Sequence, residues 1–286
     1  MYEFRNLETT NFEEITDTWN LAFSDYIVPV NVTPEKLEAY FKVTGVDKSR
    51  SFGAYYGGKL VGLLINSVDI YRGSKAAYDA MTGVVPEHRG KGLFTSLFEH
   101  TRNNLKNDMI THYYLEVITT NEKAVSIYTK KGGKVEREFV FLNGKANEGF
   151  GTDEEPVKEP NVETTADVKD LPLSAFPEED IALYEPSFGN RISALRRNLG
   201  DHRVAYTGSE KDKTAAIFNT QGIVLQIMYN GTCDRALLFS VLAYLSQKFE
   251  ELRISNIPVT ERGLIDDLLK IGFKILVRQY EMCIEL

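Results

Sequence analysis

Apolar and polar positions alternate over several short stretches of this chain and recur at helical spacing over others. Phe52 to Tyr56 and Lys59 to Val68 read as two strands joined by Gly57-Gly58, a pair that supplies the positive φ angles a two-residue hairpin turn needs. Tyr2 to Leu7 reads as an earlier strand, and Phe12 to Phe23 and Pro34 to Val43 as helices, with Trp19, Ala22 and Phe23 as apolar contacts. After the turn Tyr71-Arg72-Gly73-Ser74, Ala76 to Val85 is a third antiparallel strand. Helix Leu93–Leu105, strand Tyr113–Thr119, helix Glu122–Lys131 and strand Lys134–Leu142 follow. The order predicts an α+β domain around a central mixed sheet.

The pattern then breaks. Residues 144–170 carry eight acidic against three basic side chains and no apolar periodicity, which is the composition of a linker or long surface loop. Strand-like Arg203–Thr207, Ala215–Phe218 and Ile223–Tyr229 come next, then helix Asp234–Phe249, strand Leu252–Ile257, helix Glu261–Ile271 and strand Phe273–Glu285. The expected division is a first domain over 1–145, an acidic linker over 146–170 and a second, smaller α+β domain over 171–286.

Composition narrows the function classes. Thirty-three basic against 41 acidic side chains leave a net charge of −8, which argues against a nucleic-acid partner and is compatible with a cationic amine. Cys233 and Cys283 are too few and too far apart for a disulfide framework or a zinc site, and His88, His100, His112 and His202 show no metal-like spacing, so no metal is expected. No apolar run is long enough to span a bilayer, and the start Met-Tyr-Glu-Phe-Arg lacks a signal-peptide core. A soluble, cytoplasmic protein without a membrane partner is the expectation; its oligomeric state is left open.

The chemistry concentrates in two segments. In residues 83–97 a β-branched strand runs through Pro86 into Arg89-Gly90-Lys91-Gly92 and on into an amphipathic helix. Glycines let a ligand approach the backbone, and the first helical turn leaves N–H groups aimed where the helix dipole favours an anion. This is a phosphate or pyrophosphate cradle; an ordinary strand–helix turn is the bland alternative. A nucleotide-hydrolase P-loop is excluded because Lys91 is followed by Gly92, and the dinucleotide fingerprint because Thr95 stands at its third glycine. In residues 113–133, Asn121, Ala124, Tyr128 and Gly132 form the frame Asn-x-x-Ala-x-x-x-Tyr-x-x-x-Gly. Together the two segments resemble the GNAT superfamily of acyl-CoA N-acyltransferases over residues 1 to about 145. Phe94, where the family has a small residue, is a departure.

The resemblance implies a GNAT fold and transfer of an acetyl group from acetyl-CoA, as cosubstrate, to a small-molecule or peptide amine. It implies that the backbone at Val84 and Val85 aligns the pantetheine arm and that Asn121 touches it. The amides and charges of Arg89, Gly90, Lys91, Gly92, Leu93 and Phe94 would hold the pyrophosphate. Tyr128 matches the family's general acid, protonated at neutral pH with a reference pKa near 10. For the general base, Glu116 ranks first, Asp25 second and Asp79 third, and a water-relayed base stays possible. A non-catalytic acyl-CoA sensor is the rival reading. Aligning Gly272 with Gly132 puts Leu268 opposite Tyr128 and Glu261 opposite Asn121, and Asn230-Gly231-Thr232-Cys233 replaces the basic loop. The second domain is therefore expected to be a degenerate GNAT-like copy without the coenzyme A loop, with an unrelated α+β cap as the alternative.

Overall fold

The computed structural model describes residues 1–25, 31–145, 169–176, 181–208, 213–230 and 235–286. These form two compact units that are discontinuous in sequence. The first comprises Met1–Glu116, Lys123–Val135 and Met282–Leu286; the second comprises Val117–Glu122 and Glu136–Glu281. Among the described residues no helix is long and apolar enough to cross a membrane.

The first unit is built on β1 (Glu3–Asn6), β2 (Phe52–Tyr56), β3 (Lys59–Tyr71), β4 (Ser74–Val84) and β5 (His112–Ile118), adjacent in that order. The β2–β3 hairpin turns at Gly57 and Gly58, whose φ values of 57° and 78° are those the two-glycine signal implied. Helices α1 (Phe12–Ala22) and α2 (Pro34–Thr44) cover one face. Asn11 caps α1 by accepting from the Glu14 N–H, and α2 starts on Thr33 and Pro34 and stops at Gly45 in the left-handed conformation. Ile15, Leu37, Phe41, Leu63, Ile65 and Met81 form the core beneath them. Helix α3 (Leu93–Asn107) buries Leu97, Phe98 and Leu105, and α4 (Glu122–Lys130) ends at Gly132 with φ 92°.

Two irregularities in β4 shape the site. Ile65 pairs with Met81 but Asn66 pairs with Asp79, so Ala80 is an extra, bulged residue that re-aims its neighbours. Parallel pairing of β4 with β5 stops at Tyr78↔Tyr114, and the strands part from there. Asp79 and Glu116 stand at the mouth of that splay.

In the second unit the sheet runs β13 (Lys274–Glu285), β6 (Lys134–Lys145), β12 (Glu251–Pro258), β11 (Ile223–Asn230), β10 (Lys213–Asn219), β9 (His202–Gly208) and β7 (Lys169–Pro172), with β8 (Ile181–Ala182) beside β11. The short helix α5 (Ile192–Leu195), then α6 (Arg235–Lys248) and α7 (Arg262–Lys270), complete it, over a core that includes Leu238, Leu242, Leu264 and Leu268. Its frame repeats that of the first unit. Strands β11 and β12 pair in parallel only at Ile223↔Arg253 and Val224↔Ile254, and β11 is bulged at Leu225. Helix α7 ends at Gly272 with φ 100°. The bonds Gly272 N–H to Leu269 O and Phe273 N–H to Leu268 O repeat Gly132 to Thr129 and Gly133 to Tyr128. This is the second GNAT-like α+β domain expected.

A division at 145 and 171 does not follow the compact units. Strand β6 ladders onto β12 through Leu142↔Ile254 and Val140↔Ile257, and its Arg137 holds the fully buried Glu281 of β13 with two hydrogen bonds of 2.8 and 3.0 Å. In the first unit, the chain terminus docks through Leu286 N–H to Thr111 O and Arg102 to Glu285 O. Of the expected linker, residues 146–168 lie outside the described residues, while Lys169 and Asp170 already belong to β7.

Candidate active site

The end of β4, the following loop and the start of α3 surround a cavity of about 350 Å³, closed on the α4 side by Lys123 and Ile127. Gly90 and Gly92 have φ of 72° and 74°, and a Cβ on either would meet nothing within 4 Å. Glycine is required there by backbone conformation, and the space above it is open to a ligand. Gly92 caps α3 without any side-chain hydrogen bond, and the first intrahelical bond is Ser96 N–H to Gly92 O. The N–H groups of Leu93, Phe94 and Thr95 therefore face the cavity end of the helix without intrahelical partners. The loop fits a diphosphate.

The two cations of the loop do not behave as the sequence suggested. Arg89 donates to Val84 O at 2.9 Å, to Ala22 O at 2.7 Å and to both carboxylate oxygens of Asp25 at 2.6 and 2.9 Å. It fastens the end of β4 to the end of α1, and Asp25 neutralises it. Lys91 turns its ammonium back onto Glu87 O at 2.8 Å. Anion attraction at this loop thus rests on backbone N–H groups and the helix dipole rather than on free side-chain charge. Val85 gives its N–H to Val61 O, so of the two expected arm-binding residues only Val84 turns its amide toward the open edge. Asn121 stands just before α4, its N–H bonded to Ile118 O.

Behind Thr82, a cavity-wall residue, lies a buried polar cluster. Asp79 Oδ2 accepts from Thr82 Oγ1 and from Tyr128 Oη, both at 2.7 Å, and Tyr113 Oη beside them donates to Asn66 Oδ1 at 3.1 Å. Asp79 Oδ1 is buried with no hydrogen-bond partner, and no ion pair reaches this carboxyl among the described residues. Burial without a cation raises the Asp79 pKa, and burial together with Asp79 raises that of Tyr128 well above the usual phenol value. Phe94 packs edge-on against Tyr128, 5.6 Å between centroids, filling room that a small residue would leave.

The three carboxylates ranked as bases are thus in different settings. Asp25 is exposed, and the Arg89 hydrogen bonds lower its pKa, which makes it a poor base. Glu116 is half-buried on β5 and, with Asp79, acts on Tyr40. Tyr40 donates to the bulged Ala80 O at 3.0 Å; the ring edge reaches solvent but the enclosed hydroxyl has its pKa pushed up to about 12, by burial first and then by the two carboxylates. A second cavity of about 250 Å³ lies here, lined by Trp19, Val32, Lys36, Leu37, Tyr40, Ala80 and Met81. Along β4 it touches residues 80 and 81, and the first cavity touches 82 to 84. Sequence reasoning missed Thr82 and the Trp19–Tyr40 wall, because nothing local marks a bulge.

A family model for the acetyltransferase (GNAT) domain matches residues 3–134. Those residues, just under half of the chain, match the GNAT acetyltransferase family. Among curated proteins, N-alpha-acetyltransferase 30 of Schizosaccharomyces pombe is 34% identical over 83 residues, 29% of this chain and 55% of the relative, so the chain spans about half of that relative's length. The fold of the tandem GNAT protein from the clavulanic acid biosynthesis pathway superposes with a TM-score of 0.69, covering 100% of this chain and 98% of that one at 14% identity. A putative acetyltransferase from Pyrococcus horikoshii gives 0.65 over 100% and 89% at 15% identity.

The second GNAT-like unit fills the corresponding place with its own chain. Strand β10 occupies one edge of β11 along Phe218↔Val224 to Lys213↔Asn230. Strand β8 therefore pairs with the other edge, beyond the point where β12 leaves, through Met228↔Ala182, Tyr229↔Ile181 and Leu183 N–H to Ile227 O. With the two bulges superimposed, Ile227 and Tyr229 correspond to Thr82 and Val84, Val224 to Asp79 and Leu268 to Tyr128. Residues 231–233 of the expected replacement loop lie outside the described residues.

Proposed function

We propose that the first unit is an acetyl-CoA-dependent N-acetyltransferase acting on a primary amine in the cytoplasm. The observation that carries this reading is the continuity of the diphosphate-fitting cavity, through Thr82, with the Asp79–Tyr128 pair. When bound, acetyl-CoA supplies an activated thioester carbonyl and a thiolate leaving group. The N–H groups at the start of α3 hold the diphosphate, and the Val84 amide lines up the extended arm. Glu116, directly or through water, takes the proton that the amine loses. Tyr128 gives its proton to the thiolate sulfur. In the resting geometry that proton points at Asp79, so the donation requires Asp79 to hold a proton of its own and pass it to Tyr128 Oη as the phenol proton leaves. A buried carboxyl without a cation is suited to that neutral form. Net, one proton leaves the nitrogen and one arrives on sulfur, with Asp79 reprotonated from Glu116 or solvent.

The test is free-thiol release from acetyl-CoA against a panel of primary amines. The enzyme reading expects amine-dependent release. Tight coenzyme A binding with no release above background on any amine would favour the sensor reading instead.

A further inference from the structure

We propose that the amine acceptor carries an aromatic or large aliphatic group, seated in the cavity between α1, α2 and β4; this rests on the N-acetyltransferase reading. Apart from Lys36, its walls are apolar: the Trp19 indole, the Tyr40 ring set edge-on to it at 5.7 Å, and the side chains of Val32, Leu37, Ala80 and Met81. A buried apolar void of about 150 Å³ accommodates a benzene ring, so a volume of about 250 Å³ holds an aromatic ring and its linker. Hydroxyls or additional amines placed against these walls would lose their water without gaining partners, which is how such a pocket rejects a polar acceptor.

The position of the pocket sets where the amine lies. It abuts β4 at Ala80 and Met81, and the next residue, Thr82, belongs to the other cavity and to the Asp79 cluster. Two residues of strand span on the order of 7 Å, which a short alkyl linker between ring and nitrogen bridges. Asp79 and Glu116, both felt by the Tyr40 hydroxyl, favour an approaching ammonium at that end. A free arylalkylamine and a peptide whose first residue is aromatic share this chemistry.

Steady-state kinetics on the full chain decide the matter. Phenethylamine and a Phe-initial peptide should exceed ethanolamine, putrescine and an Asp-initial peptide in kcat/KM by roughly 10–200-fold, the range a shaped apolar pocket supplies. The better of the first pair names the source. Trp19→Ala should cut that preference about tenfold or more with acetyl-CoA affinity unchanged, and Trp19→Phe should restore most of it. Equal use of ethanolamine or putrescine, or a preference untouched by Trp19→Ala, overturns the inference while leaving the enzyme reading standing. Silence on every amine of the panel overturns both.

Discussion

In the first unit β4 and β5 part after Tyr78↔Tyr114, and the freed end of β4 lines a cavity with the following loop, α3 and α4; in the second, β11 and β12 part after Val224↔Ile254 and β8 pairs with the freed edge of β11. A splayed parallel pair leaves one strand edge with unpaired amides, which is costly when buried. The fold offers two solutions, a ligand that pairs with the edge or a piece of chain that does. The unit that took the second solution also carries Val224 and Leu268, both fully buried, where the other has Asp79 and Tyr128. Once its own chain occupies the slot, polar groups aimed into it would be buried without partners, and apolar replacements stabilise instead.

The comparison breaks first, and by the largest factor, at the paired positions Tyr128 and Leu268. Tyr128→Phe should lower kcat by roughly 10²–10⁴-fold with little change in acetyl-CoA affinity, as removal of a general acid does. Leu268→Ala should leave kcat near wild type but lose about 2–5 kcal/mol of stability by opening a cavity in a packed core, read by chemical denaturation. An unchanged kcat in Tyr128→Phe would make both positions merely structural.

A smaller effect sharpens the role of Asp79. Its folded pKa is raised above the ordinary 3.8 by burial, so its contribution to stability is fully present below about that pH and is lost as pH rises through the raised value. Asp79→Asn should therefore flatten the fall in melting temperature as pH rises above the ordinary carboxyl range. It should also lower kcat, because an asparagine N–H can hydrogen-bond Tyr128 Oη but cannot pass it a proton, and the activity that remains should lack the limb that ionisation of Asp79 produces. If the limb persists in Asp79→Asn, a different group sets it. The smallest effect is expected at Asp25, an exposed partner of Arg89. Asp25→Asn should leave kcat and its pH profile as in wild type, and loss of an acidic limb there would restore Asp25 as a base.

What was legible in the sequence was local. Gly90, Gly92, Asn121, Tyr128 and Gly132 announce themselves by short spacing, and the hairpin at Gly57-Gly58 by turn chemistry alone. What the sequence concealed was long-range. Arg89 reads as a phosphate-binding charge, but its partners Asp25 and the Ala22 carbonyl, more than sixty residues away, are fixed only by the fold. The bulge at Ala80, which brings Asp79 to Tyr128, exists only as a register shift between two strands. Strand β8 is two residues long, too short for any alternation to signal it. The departure of β6 and of Met282–Leu286 from their sequence neighbours is likewise a matter of partners, not of pattern.

The central claim is that one unit keeps its slot for coenzyme A and the other has closed its own. Isothermal titration of the full chain with acetyl-CoA tests it most directly, on wild type and on Gly92→Glu, which sets a bulky anion at a φ of 74° where the diphosphate must approach the backbone. The account predicts one molecule bound per chain in the wild type and none in the variant, with the variant still melting cooperatively. Two molecules per chain, or binding that survives Gly92→Glu, would contradict it.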